Sequence, residues 1–444
     1  MSAFRNLALR LIHKYKFVYN YCPTMIERYA KSLKTFLNEL HEYRKTPYKN
    51  IQKWLSLQLK ILKKLRYLEE KIRGSKIIIA QLKRNLKTPA LVKTKAESQS
   101  IKTNIKIQAE KIEDYKFIIL CFKSIADGIA FTFINKFDIK PQNFKETPGF
   151  ITGKEGLKTE LKALKFIYKN GRIAILNDLT TVLKYNDLTI LTSENFISVE
   201  MKSSEFDTTR IQRQKLKSEK LFNYLDTGET NELYGFEGNF SRQSMEIPEK
   251  IYAKQLNSVI SKSREKGMAH KVIEPGLIYL VCHSPDNIQK ELDIVNEKCK
   301  LAKPLFHSLN SDKFPGEGYY PLSLSLHPDN YLGFLMGNFI ILIILDLKHV
   351  EDISINNGFI AKHVQNKDWV LEFYSSEGAK KLVVSYHLLG RIFTEFSSPK
   401  QMIEDGFLQY YRMVKQDENA HNIGLQQTVN VGCNLDTAFN SNLL

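Results

Sequence analysis

Apolar residues recur every three or four positions along the first third of the chain. Ile61, Leu65, Leu68 and Ile72 follow one another with 4-3-4 spacing, which places them on one stripe of a helix or short coiled coil. Further along, the segment 118–133 is apolar on most faces and predicts a helix that is buried on all sides. We therefore expect an all-α region over residues 1–140.

Interruptions in the pattern predict where these helices end. Gly74 and the Thr88-Pro89 step are expected to break the helical run, because glycine and proline are the strongest local breakers. The segment Lys93–Lys106 is polar enough to predict a loop or a frayed linker. The Pro/Gly-containing stretch from Lys140 to Gly149 predicts the boundary of a second domain.

After this boundary the period of the pattern changes. Helical spacing over 153–170 is followed by short alternating runs that are typical of strands, then by a charged helix and more strands. The predicted strands are 173–176, 181–183, 188–191, 196–201, 276–282, 339–345, 369–374 and 382–386, and the charged helix is 208–225. This order predicts an α/β domain, a mixed sheet flanked by helices, over 146–414, with an insertion around 226–275 and a polar, flexible tail at 415–444.

Charge is distributed unevenly along the 444 residues. The chain carries 65 Lys and Arg against 48 Asp and Glu, and the first 115 residues hold 26 of the basic and 9 of the acidic side chains. The remaining residues hold 39 of each, so the whole excess of +17 lies in the first quarter. Such asymmetry predicts a polyanion-binding module joined to a neutral one. A lysine-rich, solvated helical surface is the alternative.

Cysteine and hydropathy patterns predict the compartment. The five cysteines lie far apart with no CxxC pair, which is typical of free thiols in a reducing cytoplasm. No apolar run reaches the roughly 20 residues that a membrane-spanning helix needs. We therefore expect a cytoplasmic protein without a membrane span.

One strand carries charged residues where a core strand would not. In the strand parity of 196–201, Ile197, Val199 and Met201 are expected to face the core, and Ser198, Glu200 and Lys202 to face the other side. Two charges on one face of a β-branched strand are costly unless something polar lies there.

The preceding strand brings a second carboxylate to the same place. Asp187 opens this strand, and a turn at Thr192–Asn195 would fold the pair into a hairpin with Asp187 close to Glu200 and Lys202. Two converging carboxylates repel unless a cation neutralises them, and oxygen ligands favour a hard ion, Mg²⁺ or Mn²⁺. A neighbouring lysine can orient an attacking water or hold a phosphate oxygen. The arrangement predicts phosphodiester hydrolysis.

These segments resemble the PD-(D/E)XK nuclease superfamily, the restriction-endonuclease-like fold. The stretches 175–180, 186–187 and 196–204 are most similar to its nuclease-related (NERD-like) branch, and the resemblance covers about residues 150–225. It implies a core of a helix, a three-stranded meander carrying the Asp and the Glu-x-Lys, a second helix and a further strand.

The resemblance also implies roles for individual residues. Asp187 and Glu200 would be metal ligands and Lys202 the catalytic lysine. Families of this kind add a carboxylate from the first helix, for which Glu160 is preferred over Glu155, and a glutamine from the helix after the lysine. For that glutamine Gln212 is preferred over Gln214.

Two alternatives to this site remain open. Asp329 together with Asp346 and Lys348 matches the letters of the motif more literally, although a buried central strand ending at Asp346 is the plainer interpretation. Glu200 and Lys202 could also form an ordinary surface ion pair.

The resulting hypothesis is a Mg²⁺- or Mn²⁺-dependent endonuclease whose substrate is nucleic acid, with DNA favoured. By family analogy the setting is prokaryotic defence against phage or plasmid DNA. The basic helices would bind phosphates, or mediate self-association or contact with a defence-system partner protein. The alternative is a catalytically inactive restriction-like nucleic-acid-binding or scaffold protein.

Overall fold

A computed structural model describes the chain in two compact units, which lie within Tyr21–Arg242 and Gln243–Leu444. We call them the N-terminal unit and the C-terminal unit. The residues that the structure describes are 23–87, 94–143, 149–192, 195–201, 209–233, 236–241, 248–284, 288–310, 319–364, 369–375 and 381–419.

The N-terminal unit begins with three long helices. They are α1 (Pro23–Tyr43), α2 (Gln52–Lys87) and α3 (Lys95–Phe133), followed by the short α4 (Lys136–Ile139) and a 3₁₀ turn at Lys140–Asn143. Two sequence predictions are wrong here. Helix α2 runs through Gly74 without a break, and the polar segment after Lys95 is helical rather than a linker. A capping box explains the second error, because Thr94 and Glu97 satisfy each other's backbone N–H groups.

The predicted apolar stripe forms the core between α2 and α3. Ile61, Leu65, Leu68 and Ile72 are fully buried, and residues 121–131 of α3 are buried throughout, as predicted. The core therefore contains one aliphatic stripe of α2 and all faces of the second half of α3.

A small sheet follows in the same unit. Helix α5 (Leu157–Lys169) leads into strands β1 (Ala174–Leu176), β2 (Leu188–Leu191) and β3 (Phe196–Val199), and α6 (Thr209–Thr227) comes next. The strands form an antiparallel meander in the order β1-β2-β3, with Leu188 opposite Leu176 on one side and Val199 on the other. The elements from α5 to α6 match the first five of the core expected from the resemblance.

The strand predicted at Thr181–Leu183 does not form. Instead the backbone N–H and the hydroxyl of Thr181 both donate to the buried carboxylate of Asp127 on α3, at 2.7 Å each. A side chain of the helical layer thus satisfies backbone that would otherwise need a neighbouring strand.

Gln58 of α2 closes the outer edge of the sheet. Its Nε2 donates to the carbonyl of Ala174 at 2.9 Å, and its Oε1 accepts from the backbone N–H of Leu176 at 2.9 Å. The fully buried amide takes the place of a fourth strand beside β1. As a consequence, the helices and the meander belong to one compact unit, whereas the sequence placed a domain boundary between residues 140 and 146.

Three further antiparallel sheets follow the meander, one at the end of the N-terminal unit and two in the C-terminal unit. The first is the hairpin of β4 (Glu229–Leu233) with β5 (Phe236–Ser241), and a four-stranded sheet of order β6-β7-β9-β8 and a three-stranded sheet of order β10-β11-β12 follow. The strands are β6 (Met268–Glu274), β7 (Leu277–Cys282), β8 (Pro304–Ser308), β9 (Ile340–Asp346), β10 (Phe359–His363), β11 (Trp369–Ser375) and β12 (Lys381–Ser385). The helices are α7 (Ala253–Lys266), α8 (Ile288–Cys299), α9 (Leu322–Ser325), α10 (Pro328–Leu335), α11 (Leu347–Asn356), α12 (Tyr386–Thr394) and α13 (Pro399–Asn419).

The combination of an N-terminal helical region with an α/β remainder is therefore confirmed, but the restriction-endonuclease-like fold is not. Strand β4, which follows α6, pairs with β5 instead of joining the meander. Among the described residues every strand pair is antiparallel, in four small sheets, where one mixed sheet was expected. The predicted insertion at 226–275 contains the β4–β5 hairpin, α7 and β6. Helix α13 extends into the predicted tail, and the tail from residue 420 lies outside the described residues.

Within the described ranges, no single helix is long and apolar enough to cross a membrane. Lys95–Phe133 and Lys136–Gln142, bent by 118° relative to each other, meet the length and composition criterion only when taken together.

We expect Gln58→Met to lower the free energy of unfolding by about 2–3 kcal/mol. Methionine has a similar shape, but it leaves the buried N–H of Leu176 without its partner, while the carbonyl of Ala174 keeps the Tyr168 hydroxyl. Urea unfolding followed by circular dichroism measures the change. Gln81→Met, at an exposed position of the same helix, is the control and should stay within about 0.5 kcal/mol of the wild type.

Candidate functional site

The side-chain amides of buried Asn177 and half-buried Asn186 fix the backbone around Asp187. Asn177, in the 3₁₀ turn after β1, donates from Nδ2 to the carbonyl of Tyr185 at 2.7 Å and accepts from the Thr189 hydroxyl at 2.8 Å. Asn186 adopts a left-handed backbone conformation (φ 59°), which asparagine tolerates better than most residues, and its Nδ2 donates to Ser198 Oγ at 2.9 Å. The turn before β2 is thus held from both neighbouring strands.

Asp187 directly precedes β2 and Glu200 directly follows β3, next to the paired residues Leu188 and Val199. The backbone N–H of Asp187 donates to the carbonyl of Val199 at 3.0 Å, and its Oδ2 accepts from the backbone N–H of Met201 at 2.7 Å. These two hydrogen bonds flank Glu200, whose side chain is exposed. The hairpin therefore brings the two predicted ligands together in the way that strand register dictates.

Glu160 supplies a third carboxylate from the first turn of α5. Its side chain is 96% buried, and its Oε2 makes no hydrogen bond within the described residues. Burial, followed by the charges of Asp187 and Asp178, raises the pKa of Glu160 to about 7, while Lys154 opposes the shift. Glu200 also contributes to the rise. The alternative first-helix candidate, Glu155, lies before α5 and is exposed.

Two further charged residues, Asp178 and Lys154, lie in this group, and neither was predicted as a site residue. Asp178 follows β1 in the 3₁₀ turn and forms an ion pair with Lys154, which lies on the loop before α5. The sequence signal for Asp178 was its position just after the end of β1. In an antiparallel meander this end of β1 lies beside the start of β2, where Asp187 is located.

Other predictions for this site differ in their outcomes. Lys202 lies outside the described residues, and only the backbone of Gln212 is described, in α6. Ile197 was expected to face the core, yet it is 55% exposed. The reason is its position in β3, which lies at the edge of the meander and is paired with β2 on one side among the described strands.

The rival candidates in the C-terminal unit have structural partners. Asp346 ends the fully buried central strand β9, as the plainer interpretation predicted, and begins α11. Its carboxylate accepts from the backbone N–H groups of Ala302, Lys303 and Lys348. The side chain of Lys348 pairs with Asp352. Asp346 therefore acts as a helix cap and a loop anchor.

The carboxylate cluster of the N-terminal unit consists of Glu160, Asp178, Asp187 and Glu200, whose oxygens are ligands of the kind that hard cations prefer. Within the described part of the chain, the buried Oε2 of Glu160 has no hydrogen-bond donor. The described residues contain no group of three or more His, Cys, Asp and Glu side chains arranged to hold a metal ion. The cluster is thus a set of mutually repelling carboxylates held close together rather than a completed coordination sphere.

Glu160→Gln is expected to stabilise the protein at pH 8 in the presence of a chelator. The pKa of Glu160 is about 7 in the folded protein, above the value of about 4.5 in the unfolded chain. Stability is therefore lost as the pH rises from about 4.5 to 7, because the folded state resists ionisation of Glu160, and the loss is complete above pH 7. The neutral amide avoids this cost, which is about 3 kcal/mol at pH 8 and vanishes near pH 4. Urea unfolding at several pH values measures it, and Glu155→Gln is the exposed control.

Comparison of the chain with protein-family models, with curated proteins and with solved structures found no match.

Proposed function

We propose that the protein is a metal-dependent nuclease that hydrolyses phosphodiester bonds, with DNA as its substrate. The observation that supports this proposal most strongly is the convergence of three carboxylates, in which Asp187 is bonded to the backbone on both sides of Glu200 and the buried Glu160 lies near both. Burial raises the pKa of Glu160 most, and the charges of Asp187 and, to a smaller extent, Glu200 raise it further. The three carboxylates come from α5, from the residue before β2 and from the residue after β3. Like charges this close are costly unless protonation or a positive charge neutralises them, and such clusters are typical of functional sites.

In this proposal the carboxylates bind the cation, and a backbone hydrogen bond orients one of these carboxylates. Asp187 and Glu200 would bind Mg²⁺ or Mn²⁺, and Asp187 is oriented by the N–H of Met201. Glu160 would complete the site with its buried oxygen. When bound, the cation would activate water and stabilise charge on the departing oxygen. Lys202 keeps the role of the catalytic lysine, which the resemblance implies.

Lys154 would have a supporting role in the same proposal. Its ion pair with Asp178 keeps a positive charge beside Glu160, where it favours the ionised carboxylate that a cation requires. Behind it, the buried Lys123 of α3 interacts with the same Asp178, and burial lowers the pKa of Lys123. The cellular setting that we propose, prokaryotic defence against invading DNA, follows from the family resemblance.

The proposal predicts cleavage that requires both Mg²⁺ or Mn²⁺ and the paired carboxylates. Linear, circular and single-stranded DNA and RNA are incubated with the full chain, with each metal and with EDTA. Glu200→Gln and Asp187→Asn should each lower the cleavage rate by at least about 100-fold, because each removes an anionic ligand. Glu155→Gln, an exposed carboxylate before the same helix, should cleave as the wild type does.

Two outcomes would contradict the nuclease proposal. The first is a wild-type protein that cleaves none of these substrates with either metal, which would support the alternative of an inactive nucleic-acid-binding or scaffold protein. The second is cleavage that survives both Glu200→Gln and Asp187→Asn, since the hydrolytic site would then lie elsewhere.

A further inference from the structure

The second half of α2 and the first half of α3 form a two-helix arm, which we define as residues 71–87 and 94–111. On α2 the half-buried positions are 79, 82 and 86, which continue the 3-4 spacing of buried Ile72 and Ser75. On α3 the half-buried positions are 98, 101, 105 and 108, with the same spacing. Facing stripes with this period are the seam of an antiparallel coiled coil. The remaining positions of the arm are exposed, apart from the buried pair 72 and 75.

The arm carries a large share of the chain's excess charge. It holds ten Lys and Arg against two Glu, a net charge of +8, and residues 71–87 contain no acidic side chain. The basic residues are Lys71, Arg73, Lys76, Lys83, Arg84 and Lys87 on α2, and Lys95, Lys102, Lys106 and Lys111 on α3. All ten lie at exposed positions, whereas the seam is formed mainly by apolar residues.

The base of the arm contacts the loop that leads to the carboxylate cluster. Glu69 accepts the backbone N–H groups of Ile151 and Thr152 at 2.9 and 2.7 Å, and Arg73 donates to the carbonyl of Thr152 at 3.4 Å. Lys76 lies over the ring of Phe150 at 5.2 Å. This loop continues into Lys154 and then into α5. A ligand bound along the arm would therefore lie next to the loop that leads to the carboxylate cluster, because the base of the arm is hydrogen-bonded to that loop.

We infer that this two-helix arm binds the phosphate backbone of duplex DNA and directs it to the carboxylate cluster. The identity of the polyanion as DNA rests on the proposed function, whereas the presence of a polyanion-binding surface rests on the arm itself. Binding of this kind is independent of base sequence, because lysine and arginine contacts to phosphates carry no sequence information.

The dimensions and charge of the arm fit this ligand. Seventeen residues of helix extend about 25 Å, and the same length of duplex carries about 15 phosphates. A membrane surface fits less well, since an interfacial helix needs a continuous apolar face and the arm exposes Ile77, Ile78 and Ile107 among its charges.

The decisive experiment measures binding of a fluorescent 20-base-pair duplex to the full chain in EDTA, at several salt concentrations. K83Q/R84Q/K87Q removes three charges from α2, and K95Q/K102Q/K106Q removes three from α3. Each variant should weaken binding about tenfold or more at low salt. Each should also reduce the slope of log K against log salt by about 2.7, because three phosphate contacts are lost.

A matched variant removes the same charge elsewhere. K254Q/K262Q/K266Q changes three exposed lysines of α7 in the C-terminal unit, and it should leave both affinity and slope unchanged. Circular dichroism verifies helix content for all three variants. Two independent arm variants are used so that loss of folding in one does not decide the result.

Three results would overturn the inference: arm variants that bind the duplex as tightly as the wild type, an equal loss in the α7 variant, or a wild type that binds anionic vesicles but not the duplex. The proposed function fails separately. If the wild type binds DNA through the arm yet cleaves nothing with Mg²⁺ or Mn²⁺, the nuclease proposal fails and the arm inference stands. If the wild type cleaves DNA but the arm variants bind it as tightly as the wild type does, the arm inference fails and the nuclease proposal stands.

Discussion

The N-terminal unit depends on buried polar contacts between its helical layer and a sheet too small to be stable alone. The strands of the meander are three or four residues long, below the usual five or six, and isolated sheets of this size are marginal in water. Gln58 pairs with the outer edge of β1, and Asp127 satisfies the backbone after it. These contacts hold the elements that position Asp187 and Glu200, so the candidate site exists only when α2 and α3 are in place.

The same contacts set the electrostatics of the site. Lys123 and Asp127 are one turn apart on α3 and both buried, and burial raises the pKa of Asp127 to about 6. Asp178 interacts with Lys123 on one side and Lys154 on the other, and its charge contributes to the raised pKa of Glu160. Alternating charges thus extend from the interior of the helical layer to the carboxylate cluster. Besides carrying a basic surface, the helices therefore contribute charges that influence the site.

The sequence predicted local order well where periodicity decides it and poorly where a distant side chain decides it. Strand β2 and the helical stripe at Ile61 follow from spacing alone. The segment at Thr181 was predicted to be a strand because its composition fits one, but Asp127, 54 residues away, bonds its backbone instead. For the same reason the pairing of β4 with β5 was not foreseen, since strand composition does not specify a partner.

For the site, strand parity and hairpin closure placed Asp187 beside Glu200, and helical spacing distinguished buried Glu160 from exposed Glu155. Lys123 and Asp127 were not predicted as part of the site, because they lie inside an otherwise apolar helix and no local pattern reveals that such a charged pair will be buried near the sheet. Asp178 escaped notice because its partners come from two other elements.

Gly74 has a mechanical consequence. It lies in α2 between buried Ile72 and Ser75, at the point where the helix leaves the core and continues into the arm, and a Cβ there would meet no atom within 4 Å. Glycine inside a helix costs about 1 kcal/mol relative to alanine, so this turn of α2 is less stable than alanine would make it. We therefore expect a ligand bound to the outer part of the arm to bend α2 at Gly74. This position is close to the contacts of Arg73 and Lys76 with the loop before α5.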